Sequence, residues 1–166
     1  TVWSGMHIAT APSIRDLYKP RGMTALLDAI GRTINETGSR LARLPEDQRP
    51  NKVLIVVMTD GFENASREFS REKIFEMIRH QESKYNWSFM FLGANQDAIA
   101  TATNLGMKGG WAATYNNNAC SIDKTFRKMS EKVSAYRCCT SDFEACCFVG
   151  NDKLFTEEDR KEIDAQ

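Results

Sequence analysis

The segment Val53-Leu54-Ile55-Val56-Val57-Met58-Thr59-Asp60-Gly61 decides the fold. From Val53 to Met58 no polar side chain interrupts the β-branched and aliphatic run. Its length and composition predict a strand. The lack of alternation predicts that both faces are buried, as in a sheet covered by helices on each side. The run stops abruptly at Thr59-Asp60-Gly61. A second apolar segment, Trp87–Leu92, predicts another buried strand and ends in the polar turn Gly93-Ala94-Asn95. Trp111–Tyr115 predicts a third.

Between these strands lie helical patterns. Leu26, Leu27, Ile30, Ile34 and Leu41 recur at helical spacing within Met23–Leu44 and predict one long amphipathic helix, ended by Pro45. Ser70 is the predicted N-cap of a helix reaching about Lys84. Phe69 and Ile74 are spaced as a hydrophobic staple, and Ile74, Phe75 and Ile78 form the expected buried face. A short helix over about Gln96–Asn104 carries Asp97 in its first turn, where the helix dipole favours an acid. Ile122, Phe126, Met129, Val133 and Tyr136 predict an amphipathic helix packed on the sheet. Thr156 is the expected cap of a last helix, Glu157–Ile163. Val2, Met6 and Ile8 predict a short strand near the start.

Helices alternating with strands specify an α/β domain with a largely parallel sheet and right-handed crossovers. Ligands of such sheets bind beyond the carboxyl ends of the strands. That places the candidate site at Thr59-Asp60-Gly61 and Gly93-Ala94-Asn95.

The chain's 166 residues fit one domain. Its 22 basic and 22 acidic side chains cancel, which argues against capture of nucleic acid by a basic face. No apolar run approaches the roughly 20 residues of a membrane span, and no signal peptide opens the chain, so a cytoplasmic protein is expected. Five cysteines are present: Cys120 and the adjacent pairs Cys138-Cys139 and Cys146-Cys147. An odd, clustered set argues against a disulfide framework and for a reducing compartment. The paired spacing departs from that of zinc ligands, so these are read as free thiols of a tail, residues 138–166.

Two residues at the expected site face could carry chemistry. Asp60, at the end of an apolar strand, either meets a cation or caps the loop that follows. Thr24, at a helix start, either caps it or lends its hydroxyl to a cation. Arg15, Lys19 and Arg21 add a small basic patch. His80, beside Arg79 and Glu82, reads as a surface residue, and His7 makes no pair with it. Trp3, Trp87, Trp111, Met77, Met90 and Met129 read as core. No histidine or lysine at a strand end accompanies Asp60, so an enzyme is not expected. Metal-assisted hydrolysis through Asp60 is the alternative that such a partner would revive.

Gly22-Met23-Thr24, the helix through Ala29-Ile30, and the strand closing in Thr59-Asp60-Gly61 resemble, in order and spacing, the von Willebrand factor A (vWA) domain. Glu63-Asn64-Ala65-Ser66 and Phe91-Leu92-Gly93-Ala94-Asn95-Gln96-Asp97-Ala98 resemble a bacterial and phage subgroup of that family. The resemblance spans residues 15–137. It implies a three-layer α/β fold with a doubly wound, mostly parallel, Rossmann-like sheet, and a non-catalytic protein-interaction module with a metal-ion-dependent adhesion site. Such a site holds Mg²⁺ or Mn²⁺ and leaves one position for an acidic group of a protein partner. Thr24 matches the family's threonine ligand and Asp60 its aspartate. Hard oxygens of this kind suit Mg²⁺, which keeps several waters in an octahedral shell.

The family's Asp-x-Ser-x-Ser loop occurs nowhere in this chain. The resemblance therefore implies a partial vWA-like domain, residues 1–137, truncated at its amino terminus and lacking the family's first strand and helix. Metal binding by Thr24 and Asp60 alone is then weak or absent, with Glu63 and Asp97 the carboxylates nearby. The alternative is a degenerate, metal-free scaffold. The truncation also implies an open edge beside Val53–Met58. Residues 1–10, a second copy in a homo-oligomer, or the missing neighbour would fill it.

Overall fold

The computed structural model describes residues 6–11, 22–138 and 154–164. Three parallel strands, β1 (Leu54–Thr59), β2 (Ser88–Ala94) and β3 (Ala112–Tyr115), form one sheet in the order β1-β2-β3. Helices α1 (Leu26–Ala42), α2 (Arg71–Tyr85) and α3 (Ala98–Asn104) pack on one face, and α4 (Ala119–Cys138) and α5 (Glu157–Asp164) on the other. The result is a helix-flanked parallel α/β sheet, compatible with a Rossmann-like topology. Among the described residues no helix is long and apolar enough to cross a membrane.

Register divides the core in two. Val57, Phe91 and Ala112 align on the face beneath α1 to α3, where Ile30, Ile34, Ile74 and Ile78 are buried. Met58, Leu92 and Ala113 align on the opposite face. There Trp111, Tyr136, Phe155 and Ile163 complete the second core.

Strand β2 is buried at every position, as its composition predicts. Strand β1 is not: Val56 is 38% exposed and Met58 37%. The expectation of two buried faces fails here because β1 is an edge strand and the second-face helices lie over its neighbours. Strand β2 also runs through Gly93 and Ala94, which the sequence assigns to a turn. The turn comes at Asn95, which adopts a left-handed φ of 53°.

Ser70 caps α2 as expected, accepting a hydrogen bond from the Lys73 N–H. Asp97 is the cap of α3 rather than a first-turn residue, and its carboxylate accepts from the Ala100 N–H at 2.9 Å. Thr156 caps α5 by accepting from the Asp159 N–H, while Asp159 accepts from the Thr156 N–H. Two buried faces are corrected. Phe75 is exposed on α2. On α4, Ile122, Met129, Val133 and Tyr136 pack on the second core as expected, but Phe126 faces solvent, and Ser121 and Thr125 are buried beside them. The Ser121 hydroxyl donates to the Ile163 carbonyl at 2.7 Å and ties that side of α4 to α5.

Residues 8–10 form a single 3₁₀ turn where a strand was expected. Val2, Trp3, Arg15, Lys19, Arg21, Cys139, Cys146 and Cys147 lie outside the described residues, and Cys120 and Cys138 are exposed.

Candidate functional site

The candidate site sits where β1 ends. The Thr59 hydroxyl accepts from the Gly61 N–H at 3.2 Å and donates to the Gly61 carbonyl at 2.9 Å, so one side chain knits the turn that carries Asp60. Asp60 is exposed. Beneath it the Tyr115 hydroxyl donates to the Thr59 carbonyl. Burial pushes the Tyr115 phenol up, and the nearby Asp60 charge pushes it the same way.

Thr24 lies against this turn. A Cβ on Gly61 would fall 2.7 Å from Thr24 Oγ1, so a side chain there would displace the Thr24 hydroxyl. The structure thus brings together Thr24 and the Asp60-Gly61 turn, two segments far apart in sequence. Thr24 does not cap α1. The N-cap position belongs to Ala25, which has no side-chain capping bond.

Capping comes from the loop after β1. Glu63 Oε2 accepts from the Leu27 N–H at 2.9 Å and from the Ser66 hydroxyl at 2.7 Å. Its Oε1 accepts from the Ala65 and Ser66 N–H groups. Ser66 Oγ accepts from the Asp28 N–H at 3.1 Å. These bonds satisfy first-turn donors of α1 that have no partner within the helix. They also place a carboxylate at the positive end of its dipole.

Asp28 returns the contact. Its carboxylate accepts from the backbone N–H groups of Arg67, Glu68 and Phe69 at 2.9–3.0 Å. The Arg67 bond leads in holding the Asp28 carboxyl below its ordinary range. Burial pushes Glu63 up, but the bonds from Leu27, Ser66 and Ala65 outweigh it and leave this carboxyl low as well. Asn64 completes the clamp. Its Oδ1 accepts from the Thr24 N–H at 2.8 Å, and its own N–H donates to the Thr24 carbonyl at 3.1 Å.

The run Glu63-Asn64-Ala65-Ser66 is therefore a brace that fixes Thr24 beside the β1 turn. Nothing local in the sequence signals this, because the bonded partners are 36–41 residues apart. Glu63 is engaged on both oxygens, and Asp97 caps α3 through Oδ1. Among the described residues no three His, Cys, Asp or Glu side chains converge as a metal cage. The histidines stand elsewhere: His80 is exposed on α2, edge-on to Tyr85, and His7 is exposed near the amino terminus.

The surroundings are partly apolar. Met23 and Phe62, neighbours in sequence of Thr24 and Gly61, are each 67% exposed. Phe62, Glu63, Arg71 and Gln96 line a small cavity of about 130 Å³. Gln96 is buried across Gly93, and its Nε2 finds no hydrogen-bond partner. Comparison with protein-family models, with curated proteins and with solved structures finds no match to this chain.

Proposed function

We propose that this chain is a non-catalytic protein-interaction module of the vWA type. Its contact face is the carboxyl end of the parallel sheet. The observation that carries this reading is the clamp: Asn64 and Glu63 hold Thr24 against Gly61, next to Asp60, where such sheets place their ligands. A side-chain hydroxyl and a carboxylate are hard-oxygen donors suited to Mg²⁺ or Mn²⁺. Two donors leave most of an octahedral shell to water and to an acidic group of the partner, so metal affinity in this chain is low. The exposed Met23 and Phe62 flank the same turn and supply apolar contact for a protein surface.

A metal-free scaffold is the second reading. What favours it is that both Glu63 oxygens are taken up by hydrogen bonds within the clamp.

Thermal unfolding in Mg²⁺, Mn²⁺ and EDTA, repeated on Asp60→Ala and Thr24→Ala, separates the two. A metal at 100 times its dissociation constant adds about 2.7 kcal/mol to folding stability. At this chain length that raises Tm by roughly 5–10 °C. The metal-dependent reading expects a shift that either substitution abolishes, and the scaffold reading expects none. Saturable phosphoester turnover, lost in Asp60→Asn, would overturn both.

A further inference from the structure

At the amino end of the sheet, away from the candidate site, the ends of α1 and α2 and the approaches to β1 and β2 enclose a cavity of about 360 Å³. Strand β1 has six residues, each rising about 3.3 Å, so about 20 Å separates this cavity from the Asp60 turn. The volume falls in the range of small-molecule sites, about 300–1,000 Å³. Leu41, Val53 and Trp87 supply apolar wall, and Arg49, His80 and Tyr85 stand around it. The His80 and Tyr85 rings meet edge to face at 5.7 Å.

Two features of this wall have no explanation in the chain's own packing. Trp87 is only 5% exposed, yet its indole N–H donates to no acceptor among the described residues. A buried indole N–H ordinarily finds a partner, and leaving it without one is costly. Gly38 is the other. It lies inside α1, where glycine is a poor helix former. Nothing lies within 4 Å of the place its Cβ would take, so no neighbour requires a glycine there. What its missing side chain leaves is room in the cavity. The described residues that flank segments 12–21 and 139–153 stand elsewhere. Gly22 leads through Met23 into Thr24 at the carboxyl-end turn, and Tyr136 and Leu154 belong to the core on the other face of the sheet.

The electrostatics select a neutral occupant. Helices α1 and α2 both end at this cavity, and each carboxyl end carries roughly half a negative charge. Arg49 brings one positive charge, and its guanidinium donates to the Leu44 and Ala42 carbonyls at the end of α1. These contributions nearly cancel. No carboxylate lines the cavity. A charged ligand would give up its hydration here without a net counter-charge.

We infer that this cavity binds a neutral, planar aromatic compound bearing a carbonyl acceptor. The carbonyl takes the Trp87 N–H, and the ring packs against Leu41, Val53 and the aromatic side chains in the space beside Gly38.

The test titrates benzamide into the isotope-labelled full chain and follows its N–H signals by NMR, with the Trp87 indole assigned from Trp87→Phe. A saturable shift of the Trp87 indole signal is expected, while that of Trp111 stays in place. Benzoate has nearly the same shape but a negative charge, and is expected to bind at least fivefold more weakly. Trp87→Phe keeps an aromatic ring and removes the N–H. Read from backbone amides around the cavity, it is expected to weaken benzamide binding at least fivefold. Gly38→Leu fills the cavity from a position with open space, does not lower Tm, and is expected to abolish the shift. Asp60→Ala and EDTA leave the titration unchanged, which separates this cavity from the carboxyl-end site. No saturable shift at Trp87, benzoate binding as tight as benzamide, or undiminished binding in Gly38→Leu overturns the proposal.

Discussion

At one edge of the sheet, Arg160 reaches from α5 to the backbone of β3. Its Nε and a terminal nitrogen donate to the Ala112 carbonyl, and the same terminal nitrogen donates to the Gly109 carbonyl. The Phe155 N–H adds a bond to the Gly110 carbonyl. Strand β3 is only four residues long, and three of them are buried. At the other edge, β1 is six residues long, uncharged, and met by no such cover among the described residues. Both edges present the same kind of backbone, and among the described residues only one is closed by side chains. An edge of parallel sheet is thus not hazardous in itself. What matters is whether another segment brings donors and apolar area to it.

The comparison can be broken by substitution at matched positions. Leu92 and Met58 are partners in register on the same face, one fully buried and the other exposed. Leu92→Ala is expected to cost about 2–5 kcal/mol in urea unfolding, through lost burial and an unfilled cavity. Met58→Ala is expected to cost less than about 1 kcal/mol. Equal costs would mean that the β1 edge is covered in solution.

Removing the cover from β3 comes next in size. Arg160→Ala orphans two carbonyls and is expected to cost about 2–3 kcal/mol. That corresponds to roughly 5–10 °C in Tm by circular dichroism. Arg160→Lys restores only part of this, because an ammonium cannot fork between two carbonyls as a guanidinium does.

Acid offers a gentler route to the same edge. Burial pushes the Asp159 carboxyl up, but Lys132 at 2.6 Å, the Thr156 cap and Lys128 at 3.3 Å outweigh it and hold it well below the ordinary carboxylate range. The folded state then binds fewer protons than the unfolded one. The stability this confers is full above the unfolded pKa of about 3.9 and is lost as pH falls below it. A loss of about 1–2 kcal/mol between pH ~5 and pH ~2 is expected, and Asp159→Asn should flatten that part of the pH profile.

The smallest effect is local. Amide hydrogen exchange by NMR is expected to be fast at Leu54, Val56 and Met58 and slow at Ile55 and Val57, an alternation set by one-sided pairing. Uniform protection along β1 would contradict the open edge.

Much of the fold was legible in residue order. The apolar runs, the breakers around them and the caps at Ser70 and Thr156 act over three or four residues, and strands, helices and caps appeared close to where they were expected. Burial was less legible. Phe75 and Phe126 sit at helical spacing with core residues yet face solvent, because the width of a buried stripe depends on what lies opposite it. At the candidate site, Thr24 and Asp60 could be singled out from motif order. The function of Glu63, Asn64 and Ser66 could not, because their partners lie about 40 residues back in the chain.

The sequence by itself determined that this is an α/β chain, roughly where its three strands lie, and that Ser70 and Thr156 cap their helices. Those outcomes follow from local sterics, periodicity and short-range hydrogen bonds. Only the tertiary structure decided that Val56 and Met58 are partly exposed while their partners Met90 and Leu92 are buried, that Glu63 braces α1, and that Arg160 closes the β3 edge of the sheet. Each depends on which distant segments fold beside one another, and the hydrophobic and hydrogen-bonding gains that choose those neighbours are realised only when the whole core is assembled.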